Sequence, residues 1–342
     1  MVVIDGIVFS LQRAGGISVY FRSLLDFMSK NHCAATILFE DPLLQQVGEL
    51  DHNISTLHRK ARLFERYRAC RLPEDVSVFH SSYYRIPNRN YVPTVVTVYD
   101  FIYERYQNGP RQWVHAAQKK AAIRAAQAVI CISESTKQDL LEFVGEIPGQ
   151  TIHVIHCGVS EGFCNQGFGP SITPYVLFVG QRAGYKNFSL ALEAMKLLPD
   201  FELHCVGGGP IHRTELEDVP ESVARRVRHL GFVSDENLNM LYNRALCLVY
   251  PSNYEGFGIP VVEAMRAGCP VVSTNCKAVL EVGRNALTVV SDPDPRLMAD
   301  AILKTVSSER PSLISKGLAI SQGYSWEATH RQTLDVYRSL RA

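Results

Sequence analysis

At roughly 150 residues per domain, a chain of 342 residues predicts two domains, each with enough material for a buried core. Its 35 basic residues against 34 acidic ones exclude bulk charge as a route to a polyanionic partner, so any basic patch is local. Apolar content is 46%, ordinary for a globular protein, and no run of about eighteen apolar residues is present to span a membrane.

The N-terminal "MVVIDGIVFSLQRAGG" lacks a basic segment followed by a long apolar stretch, so it reads as a first strand over Val2–Phe9 rather than a signal peptide. Gly15 and Gly16 then open a helix over Ile17–Ser29. Further buried strands are predicted at Ala35–Phe39, Val76–His80, Thr94–Tyr99, Ala128–Ile132 and Ile152–His156, with helices over Arg111–Ala126 and Ser135–Phe143. Between them, "HRKARLFERYRACR" places Arg59, Lys60, Arg62, Arg66, Arg68 and Arg71 against Glu65. Leu57, Ala61, Phe64 and Leu72 give it an approximate apolar side, so it reads as a basic amphipathic helix, either solvated or resting on anionic lipid. "NQGFGPSITP", Asn165–Pro174, has no periodicity and reads as an interdomain linker. A second series follows, with strands at Tyr175–Val179, Glu202–Val206, Val227–Leu230, Cys247–Tyr250, Pro270–Ser273 and Ala286–Val290. Its helices are predicted over Asn187–Leu198, Asp235–Ala245, Pro260–Ala267 and Pro295–Ser307. Alternating apolar strands and amphipathic helices predict two doubly wound parallel α/β domains in tandem, with ligands outside the carboxyl ends of the strands and in the cleft between domains. The nine cysteines form no C-x-x-C pair, and most lie in apolar runs, as buried free thiols of a reducing compartment do.

The densest chemistry lies in "NYEGFGIPVVEAMRAGCPVV". Glu255 and Glu263 bracket a turn, Gly256-Phe257-Gly258-Ile259, whose amides open a helix with Pro260 in its first turn. Amides and the helix dipole suit a diphosphate, and carboxylates on either side suit hydroxyls, so a sugar nucleotide fits the pattern. The plainer alternatives are a helix-capping carboxylate at Glu255 and a solvent-facing acid at Glu263. Arg182 and Lys186, four apart after a strand, either converge on the same phosphates or are solvated loop cations. Gly15 and Gly16 form a similar helix-opening turn or a simple tight one. "VGGGP", Val206–Pro210, continues into no G-x-G-x-x-G frame and reads as a loop after a strand. "SDPDP", Ser291–Pro295, reads as a turn before a helix rather than a metal-binding acidic pair, and no cofactor or required metal is expected.

"YEGFGIPVVEAMRAGCPVV" resembles the E-G-F-G-x-P-x-x-E-A-M-x-x-G-x-P-V-V block of retaining glycosyltransferases of family 4, which have the GT-B fold. "AGGISVYFRSLL", "ICISESTKQDLL", "IHVIHCGV", "YVLFVGQRAGYKNF", "LGFVSDENLNMLYNRALCLVYPS" and "YSWEATHRQTLDVYRSL" are similar to other family stretches in the same order, over essentially the whole chain. The resemblance implies an acceptor-side domain over 1–165, a nucleotide-sugar domain over 166–324, and a closing helix near 325–342 that packs back on the first. It implies that Arg182 and Lys186 bind the donor diphosphate and stabilise the leaving group. Glu255, Gly256, Phe257, Gly258, Ile259 and Glu263 then line the donor site, Gly15 and Gly16 lie beside the phosphates, and Phe232 and Val233 frame the base or serve the core. The chain departs from the family at "TVVTVYDFIYERY", where a histidine of V-T-V-H-D is Tyr99, followed by Asp100. Tyrosine is a poor base at neutral pH, so Tyr99 is assigned to donor positioning and Asp100 to orientation of donor or acceptor. The histidines His80, His153 and His156 are expected in the core. The implied reaction moves a hexose, with GDP-mannose or a related GDP-sugar as the first choice, to a hydroxyl of a glycan or lipid-linked saccharide in surface polysaccharide (lipopolysaccharide or O-antigen) synthesis. The enzyme would be cytoplasmic, at the inner membrane face, touching anionic lipid through Arg59, Lys60, Arg62, Arg66 and Arg68. The rivals are a UDP-sugar transferase, a catalytically weak sugar-nucleotide binder and an epimerase.

Overall fold

A computed structural model describes residues 1–12, 15–39, 53–106, 109–182 and 184–341. Two units divide the chain, Met1–Gly158 with Trp326–Ala342, and Val159–Ser325.

In the first unit the elements run β1 (Val2–Asp5), α1 (Ile7–Leu11), α2 (Gly16–Lys30), β2 (Ala35–Phe39), β3 (Ile54–His58), β4 (Val78–Ser81), β5 (Thr94–Val98), α3 (Ile102–Tyr106), α4 (Pro110–Ala125), β6 (Ala128–Cys131), α5 (Glu134–Phe143) and β7 (Thr151–Val154). The strands form one parallel sheet in the order β3-β2-β1-β4-β5-β6-β7. Strands such as β1, β4 and β5 are buried throughout, which is why they read as mainly apolar runs without the alternation of a strand exposed on one face. The first strand is shorter than the predicted Val2–Phe9. Buried Asp5 accepts from Arg85 Nε and Nη2 at 3.0 and 2.6 Å and from Ile7 N at 3.1 Å, which turns the chain into α1. The edge strand β3 lies mostly in solvent and carries no apolar run, so periodicity alone does not reveal it. Ser133 caps α5 by accepting from Thr136 N at 2.9 Å.

The basic stretch is not a helix. After His58 it is irregular apart from one 3₁₀ turn, Glu65–Tyr67. Glu65 is drawn inward by Arg85 Nη1 at 3.0 Å and by Arg62, whose Nε and Nη2 donate at 2.7 and 2.6 Å. Folding the chain around that buried acid throws Leu63 and Phe64 outward, 75% and 68% exposed.

The second unit runs β8 (Tyr175–Val179), α6 (Phe188–Met195), β9 (Glu202–Val206), α7 (Glu221–Ala224), β10 (Val227–His229), α8 (Asp235–Arg244), β11 (Leu248–Tyr250), α9 (Ile259–Arg266), β12 (Val271–Thr274), α10 (Lys277–Gly283), β13 (Leu287–Val290), α11 (Pro295–Lys304) and α12 (Arg310–Ser321). Its parallel sheet is ordered β10-β9-β8-β11-β12-β13. Val176, Phe178, Leu203, Val249 and Val272 from the sheet pack with Leu190, Met195, Met298 and Ile302 from the helices. Residues 165–174 are irregular and tied to α8, through Gln166 N on Asn243 Oδ1 at 2.7 Å and Ser171 N on Arg244 O at 3.0 Å. Asp294 caps α11, accepting from Arg296 N and Leu297 N, so "SDPDP" is the turn before a helix.

The last helix, α13 (Trp326–Ser339), belongs to the first unit. It docks through polar pairs inside the core, with Tyr337 Oη 2.5 Å from His80 Nδ1, His330 Nε2 2.7 Å from Ser23 Oγ and Thr333 Oγ1 3.3 Å from Tyr20 Oη. Of the three strand histidines only His80 is fully buried; His153 and His156 are half-buried near the sheet's last strand.

Candidate active site

The strand order of the second unit reverses between β8 and β11, and in open α/β sheets ligands bind outside the carboxyl ends of the strands at such a switch point. Lys186 follows β8, while Tyr250 ends β11 and Glu255 lies in the loop after it. The Lys186 ammonium donates to Glu255 Oε1 at 2.5 Å and to Tyr250 Oη at 3.2 Å, and it lies 5.1 Å from the centre of the Tyr250 ring. Both partners of this ion pair are largely withdrawn from solvent. A cation held this way, beside a helix N-terminus, is poised to exchange its carboxylate for phosphate oxygens.

Gly258 is the N-cap of α9 with φ +103°, a conformation that glycine alone adopts freely, and a Cβ there would meet the Val279 side chain at 3.4 Å. Ile259 and Pro260 begin the first turn, where Pro260 has no N–H and Val261 N donates to Gly258 O at 2.9 Å, so the Ile259 N–H is the one these two residues can offer. Phe257 is buried with its ring edge-on to Tyr324, so it packs the turn from behind. Glu263, on α9 itself, accepts from Tyr242 Oη at 3.0 Å. Burial pushes its carboxyl up to about 7, against the pull of the Tyr242 hydroxyl and helped by Asp235.

Arg182 does not share partners with Lys186. Its Nε and Nη2 donate to Glu215 at 2.7 and 3.4 Å, and its Nη1 and Nη2 donate to the carbonyls of Gly207, Gly208, Gly209 and Pro210 at 2.9–3.2 Å. The next loop over, after β10, adjoins this one through Gly207 N on Gly231 O at 2.9 Å. There Phe232 is 85% exposed, which removes the core alternative for it, and Val233 is half-buried.

In the first unit Gly15 caps α2, with Ser18 Oγ bonded to both its N–H and its carbonyl, and its φ of −173° is ordinary extended backbone. Gly16 is the first residue of the helix. Tyr99 stands at the carboxyl end of β5, edge-on to Tyr20 at 5.8 Å, and its hydroxyl makes no hydrogen bond among the described residues. Burial raises it well above the usual tyrosine range, so it stays neutral and cannot act as a base. Asp100 Oδ1 accepts from Ile102 N at 3.1 Å and starts α3, while Lys119 Nζ donates to its carbonyl at 2.9 Å. Sequence reasoning missed Tyr250, Tyr242 and Glu215. Tyr250 closes an apolar strand and Tyr242 lies within a helix, so only the geometry reveals their hydroxyls as partners of Lys186 and Glu263.

Comparison with known proteins decides the family. The model described as "Glycosyltransferase Family 4" matches residues 14–162, and that described as "Glycosyl transferases group 1" matches residues 173–308. This chain belongs to the family 4 glycosyltransferases. It is 27% identical over 322 residues to O-antigen chain mannosyltransferase B of Escherichia coli, covering 84% of this chain and 83% of that protein. Among solved structures it is similar to sucrose-phosphate synthase from Thermosynechococcus elongatus, with a TM-score of 0.76 at 20% identity over 99% of this chain and 98% of that one. It also resembles WaaG, a glycosyltransferase involved in lipopolysaccharide biosynthesis, with a TM-score of 0.72 at 13% identity over 98% and 99% of the two chains. The GT-B fold and glycosyl transfer therefore hold for this enzyme, a glycosyltransferase with relatives in polysaccharide synthesis. No group of acids, histidines and cysteines that could hold a metal occurs among the described residues.

Proposed function

We propose that this glycosyltransferase moves mannose or a related hexose from a GDP-sugar, with retention, to a hydroxyl of a growing glycan or a lipid-linked saccharide. The observation that carries the reading is the Lys186–Tyr250–Glu255 constellation at the switch point of the second unit. The name of the Escherichia coli relative, an O-antigen chain mannosyltransferase, supports the sugar and the kind of product.

In this reading Lys186, Arg182 and the backbone of the turn from Gly256 to Ile259 hold the donor diphosphate and stabilise it as it leaves. Glu255 takes the sugar hydroxyls, Glu263 the ribose hydroxyls, and Phe232 lies against the base. Gly15 and Gly16 approach the phosphates. Tyr99 and Asp100 orient the acceptor or donor. The leaving phosphate, rather than a side chain, takes the acceptor proton, and no metal is required. The enzyme works in the cytoplasm at the inner membrane face. A basic concavity of about 500 Å³, lined by Arg59, Lys60, Ala61, Arg62 and Arg71, lies beside the exposed Leu63 and Phe64 and with Arg68 faces anionic lipid, whereas Arg66 is turned away from that patch onto the buried Tyr83 ring, 4.8 Å from its centre. Co-sedimentation with vesicles containing anionic lipid tests that contact: Leu63→Ser/Phe64→Ser should lose binding, and equal sedimentation of wild type and variant would contradict it.

Turnover decides the main reading. With GDP-mannose and a lipid-linked acceptor, GDP release and an α-linked product, its anomeric configuration read by NMR, are expected. Release of UDP from UDP-sugars alone would overturn the choice of base, an inverted product would overturn retention, and sugar epimerisation without transfer would overturn the reaction.

A further inference from the structure

The three glycines of "VGGGP" have a task that the donor-site reading leaves unexplained. Gly207, Gly208 and Gly209 take φ values of +82°, +74° and +72°. Three successive left-handed residues are strained for any other residue type. Here they let the carbonyls of Gly207, Gly208, Gly209 and Pro210 all reach one guanidinium. A Cβ on Gly208 would come within 2.7 Å of Arg182 Nη1. The loop is thus a collar built around the Arg182 side chain, which is 3% exposed. The charge is balanced by Glu215, which is itself fixed by His212 N on its Oε2 at 2.8 Å. Although partly desolvated, Glu215 is held below the usual carboxylate range by the hydrogen bonds from Arg182 and the His212 amide.

Resting on the proposed role of Arg182, we infer that Glu215 is a positioning residue that occupies the donor diphosphate's place on Arg182, so that nucleotide binding exchanges one anion for another on the guanidinium. A carboxylate and a phosphate present the same pair of oxygens to the arginine fork. Glu215 already takes the Nε–Nη2 edge of the guanidinium, the edge a bidentate phosphate would use, so the two anions compete for it. The collar keeps the side chain ordered and compensated while the site is empty, and the donor must win it from Glu215. Affinity for nucleotide is therefore set below what an unopposed arginine would give.

The test is calorimetric titration of GDP, with UDP as the alternative probe, into wild type, Glu215→Gln, Glu215→Asp and Arg182→Gln, each checked for folding by circular dichroism. Glu215→Asp keeps the charge but shortens the reach, so it covers the case in which Glu215→Gln misfolds. The expected result is tightening of about fivefold in both Glu215 variants, as for loss of a competing, partly exposed ion pair, with weakening of at least tenfold in Arg182→Gln. Weakened or unchanged affinity in the Glu215 variants, with Arg182→Gln still weakened, overturns the exchange and leaves the donor site standing. Unchanged affinity in Arg182→Gln overturns the role of Arg182 on which the exchange rests.

Discussion

Lys186 and Glu255 are a buried pair, and their two halves make different demands. Removing one partner leaves an uncompensated charge at a site largely closed to water, which costs about 3–5 kcal/mol. Lys186→Met is therefore expected to lower both stability and transfer, and Lys186→Met/Glu255→Gln to recover stability without recovering transfer. If Lys186 stabilises the leaving diphosphate, the loss in kcat is about 10²–10³-fold. Thermal unfolding and single-turnover assays separate the two effects, and a double variant that regains transfer would exclude that role for Lys186.

Glu263 predicts a pH dependence. Its carboxyl stands at about 7 in the fold against an ordinary 4.5, so the folded state holds the proton more firmly. Its contribution to stability is complete below 4.5 and is lost as pH rises through about 7. The use proposed for it, as an acceptor for ligand hydroxyls, runs the other way, strengthening as the carboxylate forms. Nucleotide affinity should thus rise across neutral pH in the wild type and stay flat in Glu263→Gln. A wild-type profile as flat as the variant's would contradict a contact at Glu263. The two acids were visible in the sequence because they flank a glycine turn at fixed spacing. Their partners were not: Tyr242 reaches Glu263 across 21 residues and Lys186 reaches Glu255 across 69, and no local pattern encodes such distances.

Among elements, α13 is held by side chains that must remain neutral. Burial drives His80 and His330 down to about 3, as it does His115 in α4 against Tyr103. The unfolded chain takes up protons below the ordinary 6.5 and the folded unit does not, so stability falls as pH drops from 6.5 toward 3. Tyr337→Phe removes the partner of His80 Nδ1 and is expected to cost about 1–3 kcal/mol, measured by urea unfolding at neutral pH. The same contrast explains which elements could be read in advance. β8 and β11 are buried on both faces and announce themselves as apolar runs. The basic stretch looked helical because its apolar residues recur at nearly helical spacing. Its fold is set instead by Arg85, 20 residues beyond Glu65, which pulls that acid into the core.

At the scale of the whole molecule, each unit closes its own sheet and its own core. Arg182, Lys186, Glu255 and Glu263 all belong to Val159–Ser325, while Tyr99 and Asp100 belong to the other unit. The alternation of strands and helices made both sheets legible. The return of α13 to the first unit followed only from the family resemblance, because a lone amphipathic helix does not say which sheet it covers. The measurement that tests the donor site most directly is a thermal-shift panel of GDP, UDP, ADP and their sugars on the full chain and on Glu263→Ala. One nucleotide family should raise the melting temperature of the wild type, and the variant should lose that rise. A wild type that no nucleotide stabilises at millimolar concentration, or a variant stabilised as strongly as the wild type, would contradict the donor site at the turn from Glu255 to Glu263.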